Sequence, residues 1–321
     1  MSTLFVAGLG IVGLVLLTVG ADQLVVGAGR LATVLRVAPV IVGVVIIGLG
    51  TSTPEFVVSG TAAVRGNAAL ALGNLVGSNM LNVTLILGVV AVVSPVVVRS
   101  SVPVREAPLM VAGVTVFGAF ALVGLKFVAG VLLAVLSIGA LMLLVRLSRV
   151  PPDDSLPDDV AAFVEPPPAP GRWWVEAARC AVGLAATLGG AQLLVANAST
   201  LAHRWGLSDA VIGFTLVAVG TSLPELMTSV QAQRRGWGDL MVGNLLGSNL
   251  FNSLIGGAVV GIAAGRHTIA PFGFAAVTAM VVAGLLAWLL LKRGNRITRP
   301  EACVLLCAYG LMLPLLISAN P

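Results

Sequence analysis

The chain has 321 residues, of which 58% are hydrophobic and 10% charged, and its mean hydropathy is +1.06. A soluble domain carries about 25% charged residues, so this composition excludes an ordinary water-soluble protein and places the chain in a bilayer. The net charge is +5, yet the basic residues sit in short loops between apolar runs and aromatics make up only 5%, which speaks against a nucleic-acid binder.

A bilayer core takes about 20 apolar residues per helix. On that rule the sequence predicts ten spans, at about 4–24 (extendable to Leu35), 39–63, 68–92, 107–125, 127–147, 174–196, 210–230, 240–264, 272–291 and 302–317. The first has no Lys or Arg ahead of its apolar run, so it lacks the positive start of a secretory signal and is expected to be retained. Between the fifth and sixth spans, residues 150–172 hold seven prolines and five acidic residues. Proline blocks helix, and this stretch is expected to be a solvated linker rather than a Ca²⁺ site. It separates a first half, 1–149, from a second, 173–321.

Basic residues set orientation. The loops after odd-numbered spans, including the linker, carry 14 of the 18 Lys and Arg, and the loops after even-numbered spans carry 4. The linker is therefore expected on the cytoplasmic side and both termini outside. Cys180, Cys303 and Cys307 lie in apolar segments without a partner His or carboxylate in register, and are expected to be small buried residues. His203 and His267 fall in predicted outer loops.

An internal repeat dominates the sequence. The segment GLGTSTPEF (48–56) returns as AVGTSLPEL (218–226), and GNLVGSNMLN (73–82) returns as GNLLGSNLFN (243–252), both at an offset of 170 residues. Each half holds five spans, an odd number, so the second copy is expected to lie upside down relative to the first. Inverted repeats with sites at the membrane midplane suit alternating access in a secondary transporter.

The repeated motifs carry the chemistry. Glu55 and Glu225 lie deep in apolar spans, where an acid is a functional candidate by default. Pro54 and Pro224 precede them and are expected to break the second and seventh helices, with Gly50 and Gly220 loosening the same turn. Freed carbonyls at membrane depth are tolerated where they line a cavity or bind an ion. Thr51, Ser52, Thr221 and Ser222 add oxygens, and oxygen-only ligation suits hard cations, whereas Zn²⁺ or Cu⁺ would ask for His or Cys. Ser78 and Asn82, and again Ser248 and Asn252, are spaced i,i+4 and share a helix face. Gly73, Gly77, Gly243 and Gly247 are expected to serve helix packing. Asn79 and Asn249 are expected to make interhelical or backbone hydrogen bonds.

Together these four blocks resemble the α1 and α2 repeats of the calcium/cation antiporter superfamily, and most closely its sodium/calcium exchanger branch. The resemblance implies an all-α integral membrane fold of ten helices and an exchange of Ca²⁺ for Na⁺ without a resident cofactor. It implies that Glu55 and Glu225 hold Ca²⁺ together with the carbonyls of Thr51 and Thr221. Ser52, Ser78 and the Gly48 carbonyl then match an inner-facing Na⁺ site, and Ser222, Ser248 and the Ala218 carbonyl an outer-facing one. Asn82 matches the polar residue of the first repeat. Asn252 departs from the aspartate of well-studied exchangers; it has a similar shape but cannot ionise, which bears on ion choice and stoichiometry. The resemblance further implies a plasma (inner) membrane setting in which one chain suffices for transport. The competing readings are a Ca²⁺/H⁺ antiporter, a channel, and a membrane-embedded enzyme using the two glutamates as acid and base. No HExxH or GxSxG motif supports the last.

Overall fold

The computed structural model describes residues 2–35, 37–99, 104–147, 173–206, 218–265 and 268–318. The proline-rich linker, the first part of the seventh expected span and His267 lie outside the described residues. The chain forms α1 (Thr3–Leu35), α2 (Pro39–Thr51), α3 (Thr53–Val64), α4 (Ala68–Val93), α5 (Glu106–Val123), α6 (Phe127–Leu147), α7 (Trp173–Arg204), α8 (Ala218–Thr221), α9 (Leu223–Arg234), α10 (Gly238–Ala263), α11 (Phe274–Gly294) and α12 (Arg299–Ser318). Among the described residues, seven of these are long and apolar enough to cross a membrane by themselves, and α2 with α3 makes an eighth as a bent pair. The body is therefore an all-helical integral membrane protein. A small departure is the antiparallel pair β1 (Val96–Val97) and β2 (Arg296–Ile297), which ties the end of α4 to the end of α11.

Burial separates a centre from a rim. The most apolar windows of α4 and α10 are 72% and 83% buried, against 33% for α1, α6 and α7. The motif-bearing helices thus lie inside, and the outer helices turn apolar side chains such as Leu4, Val128 and Val182 outward. Cys180 is buried, but Cys303 and Cys307 are exposed on α12, contrary to the expectation that all three are buried. Their side of α12 faces away from the bundle, where an apolar thiol is at no disadvantage in lipid.

α1 runs past Leu24 to Leu35, and α7 past the expected end at 196 to Arg204. The extension of α1 is possible because Arg30 finds Glu176 of α7 at 3.6 Å, and Glu176 is also met by Arg179 at 3.2 Å. The two long helices touch backbone to backbone. A Cβ at Gly13 would stand 2.6 Å from the Leu194 nitrogen, and one at Gly183 would stand 2.5 Å from the Leu24 nitrogen. Shifting by 170 residues turns the Gly13–Gly190 contact into the Gly183–Gly20 contact, so the pair obeys the repeat.

α2 packs against α10 in the same manner. A Cβ at Gly43 would meet the Leu240 carbonyl oxygen at 2.5 Å, and one at Gly247 would meet Val44 Cα at 2.6 Å. Small residues let the backbones approach this closely, which is the packing role expected of Gly243 and Gly247. Wide, π-type turns interrupt α2 at Gly43–Gly48, α4 at Asn82–Ile86 and α10 at Asn252–Gly256. Such bulges cluster at functional positions, and two of them open on Asn82 and Asn252. α3 and α9 end alike, on Gly66 and Gly236, each with φ 72°, a left-handed cap that glycine adopts without strain.

Candidate functional site

The expected break in the second helix is present: α2 and α3 meet at Ser52 with a bend of 43°. In the second half α8 gives way to α9 at Ser222, where ψ is 5°. Pro54 and Pro224 stand in the first turn of α3 and α9, where a missing N–H costs nothing. Gly50 and Gly220 are helical rather than loosened. What requires them is crowding by α7, because a Cβ at Gly50 would lie 2.7 Å from Leu184 Cδ2 and one at Gly220 would press on Val195.

Each break places a glutamate in the first turn of a new helix, at the positive end of its dipole. Glu55 and Glu225 are both 0% exposed. Each is held from the opposite half: Ser52 Oγ donates to Glu225 Oε1 at 3.3 Å, and Ser222 Oγ donates to Glu55 Oε1 at 3.3 Å. The two carboxylates therefore face one another's segments, deep in the bundle and away from lipid.

Gly48 is nine residues into α2 and Ser248 ten residues into α10. At 1.5 Å per residue each is about 14 Å from its helix start, near the middle of a ~30 Å hydrocarbon layer. Ser248 Oγ donates to the Gly48 carbonyl at 3.2 Å and lies 3.5 Å from Glu225 Oε1. Gly48, Ser52, Ser248 and Glu225 thus form one cluster drawn from both halves. The family resemblance groups Gly48 and Ser52 with Ser78, and Ser248 with Ser222 and Ala218. The structure instead puts Ser248 beside Gly48, because α2 runs along α10. Ser78 is buried on α4, and Ala218 begins α8. Thr51 Oγ1 donates to the Ile47 carbonyl at 3.0 Å and also reaches Asn244 Oδ1 of α10 at 3.5 Å, and half-buried Thr221 closes α8.

Several oxygens in this region lack a partner among the described residues: Glu55 Oε2, Glu225 Oε2, Asn82 Oδ1 and Asn252 Oδ1, together with Asn252 Nδ2. A buried polar atom without a partner costs about 1–3 kcal/mol, so four such oxygens on helices that touch one another suit a cation. No cluster of three His, Cys, Asp or Glu occurs among the described residues. The donor set is carboxylate, hydroxyl, amide and carbonyl oxygen, the set that hard cations take.

A second polar layer, which the motif chemistry alone does not single out, braces the glutamates. Asn74 Nδ2 donates to Ser59 Oγ at 2.9 Å and to the Glu55 carbonyl at 3.2 Å. Asn244 Nδ2 donates to Ser229 Oγ at 3.1 Å, to Thr228 Oγ1 at 3.0 Å and to the Glu225 carbonyl at 3.5 Å. Asn74/Asn244 and Ser59/Ser229 are 170 apart, so the repeat offset itself is the signal that could have found them. Asn249 Nδ2 donates to the Asn79 carbonyl at 2.8 Å, the interhelical bond expected of these asparagines. His203 is exposed in the last turn of α7 rather than in a loop.

A helical membrane body that opposes two buried carboxylates across an internal repeat is the scaffold of a membrane ion transporter. Comparison with known proteins narrows this: the chain belongs to the sodium/calcium exchanger protein family, whose profile matches residues 5–150 and 176–318. It is 39% identical to the putative antiporter CaxA of Alkalimonas amylolytica over 96% of both chains. It is 28% identical to the sodium/calcium exchanger MaX1 of Methanosarcina acetivorans, over 95% of this chain and 97% of that one. The solved structure of the sodium-calcium exchanger NCX_Mj soaked with zero Na⁺ and Ca²⁺ superposes with a TM-score of 0.84 at 30% identity, covering 98% of this chain and 100% of the other. The protein is accordingly an ion-transporting antiporter and not an enzyme.

Proposed function

We propose that the protein exchanges Ca²⁺ for Na⁺ across the plasma (inner) membrane by alternating access. The observation that carries this reading is the reciprocal holding of Glu55 by Ser222 and Glu225 by Ser52, with the other oxygen of each carboxylate left for a cation. MaX1 and NCX_Mj bear the name of sodium/calcium exchangers, which supports the same ion pair here. In this reading Glu55 and Glu225 hold Ca²⁺ with the carbonyls of Thr51 and Thr221, and Asn82 and Asn252 complete the middle of the site. The Gly48 carbonyl, Ser52 and Ser248 form a Na⁺ site toward the linker side. The Ala218 carbonyl, Ser222 and Ser78, their repeat partners, form another toward the opposite side.

Two ionised carboxylates carry about −2, which one Ca²⁺ or two Na⁺ balance. A net charge in an apolar barrier is costly, so the site crosses when loaded with either cargo and resists crossing empty. That requirement enforces exchange. The ions are cargo, and no resident cofactor is assigned. The ten spans form two inverted five-helix repeats, 1–149 and 173–321, with residues 150–172 cytoplasmic and the termini outside. One chain supplies both half-sites, so a monomer suffices.

Proton coupling is the second reading. Two buried carboxylates with no basic partner among the described residues could carry H⁺ instead of Na⁺, and Asn252 removes a third ionisable group. Isotopic Ca²⁺ uptake into proteoliposomes, driven separately by Na⁺ and by pH gradients, decides between them. Na⁺-driven uptake is expected, and it should vanish in Glu55→Gln and Glu225→Gln. Robust Na⁺-driven exchange in both variants would refute the site.

A further inference from the structure

A backbone carbonyl can only accept a hydrogen bond, and here that fixes two amide side chains in turn. The Asn79 carbonyl accepts from Asn249 Nδ2 at 2.8 Å. With its nitrogen committed to the Asn79 carbonyl, Asn249 has its Oδ1 left to accept. That oxygen accepts from Asn82 Nδ2 at 3.0 Å. Asn82 must therefore give its nitrogen to Asn249, and its own oxygen is left buried without a partner among the described residues. Asn82 stands one helical turn beyond Ser78 on the same face of α4.

The geometry points to Asn249 as a positioning residue that holds the Asn82 amide with its oxygen, not its nitrogen, toward the cation between Glu55 and Glu225. The inference rests on the site reading given above. An amide turned over would present N–H groups to a cation, exchanging an attractive dipole for a repulsive one. Asn249 itself touches no cargo; it acts through Asn82.

The second half does not repeat the device. Asn79 is the counterpart of Asn249 and Asn252 that of Asn82, both at the 170-residue offset. Yet Asn79 Nδ2 donates to Ser253 Oγ at 3.0 Å and lies 3.5 Å from Met280 Sδ. Asn79 Oδ1 and both amide atoms of Asn252 are without partners among the described residues. The counterpart of Ser253 is Val83, which has no hydroxyl to divert an amide. With Asn79 drawn to Ser253 and Met280, the amide at 252 is left unlocked where that at 82 is locked.

The test is a double-mutant cycle read by equilibrium binding of radioactive Ca²⁺ to the purified full-length protein, so that lost turnover cannot hide the effect. Asn249→Ala is expected to weaken binding about fivefold, the size of one net hydrogen-bonded contact. Asn82→Ala is expected to weaken it at least as much. The double variant should bind like Asn82→Ala to within about twofold, because no amide remains to be oriented. Multiplying effects would show that Asn249 acts independently of Asn82 and would overturn the proposal, as would wild-type binding by Asn249→Ala. Asn249→Ser takes its place in the cycle if the alanine variant does not fold. Glu55→Gln and Glu225→Gln, measured alongside, separate the two failures. Undiminished binding in those variants sinks the site itself, whereas their loss beside a failed cycle sinks only the role of Asn249.

Discussion

Ser52 and Ser222 each give their hydroxyl proton to the glutamate of the other half. The crossing has a consequence for sidedness. Ser52 stands with Gly48 and Ser248, whose helices start at the loops assigned to the linker side, and Ser222 belongs to the opposite cluster. Ser52→Ala should weaken apparent Na⁺ affinity about fivefold from the linker side, with a much smaller change from the other face. Ser222→Ala should do the reverse. Na⁺ titrations on right-side-out and inside-out vesicles check this, and equal losses on both faces for each variant would contradict it. At this scale the sequence is informative about identity but not about partnership. The repeat names Glu55, Glu225 and the hydroxyls of Ser52, Ser222, Ser78 and Ser248, but not that of Thr228, whose counterpart is Val58. Helical spacing tells which residues share a face, but not which helix that face meets, so nothing in the sequence pairs Ser248 with the Gly48 carbonyl rather than with Ser222.

Among the elements, the contact of α2 with α10 is the closest to the site. Gly43 and Gly48 on one helix and Gly243 and Gly247 on the other leave no room for a Cβ, since what each would meet is backbone, which cannot rotate away. Gly247→Val should therefore force α2 off α10 and destabilise the protein by about 1–3 kcal/mol, as overpacking does, and should lower exchange by displacing Gly48 from Ser248. At Gly139 on α6 a Cβ would meet nothing within 4 Å, so Gly139→Val should be neutral in the same thermal melts. Similar melting temperatures for the two variants would mean that this contact does not hold the bundle together. Gly243 and Gly247 are legible as packing positions because they recur from Gly73 and Gly77, whereas Gly48 has Ala218 as its counterpart and is not marked as one by the repeat. The extended pairing of α1 with α7 is not. Hydropathy falls at Arg30, and nothing in the local sequence reveals that Glu176, far along the chain, will meet it. Gly50 and Gly220 mislead for a related reason: their need for a missing side chain comes from Leu184 and Val195 on α7, not from the turn they occupy.

For the molecule as a whole, the proposed inverted arrangement makes the strongest demand. Arg65 and Arg235 occupy the same place in the two copies, each followed by a glycine at φ 72°, and both are exposed. If each half holds an odd number of spans, these equivalent turns emerge on opposite faces of the membrane, and the excess of Lys and Arg puts Arg235 on the cytoplasmic one. Cysteines introduced one at a time at 65 and 235, in a background that keeps buried Cys180 and has Cys303 and Cys307 changed to serine, report this directly. In right-side-out vesicles a membrane-impermeant thiol reagent should label Arg65→Cys and spare Arg235→Cys until the membrane is opened. Replacing Arg235 also removes its partly exposed ion pair with Asp22, which at ~1 kcal/mol or less leaves the fold intact. Labelling of both positions from one face would mean the halves are parallel. The crossed serines, the paired glutamates and the opposed half-helices would then have no symmetry to arise from, and the alternating-access reading would lose its physical basis.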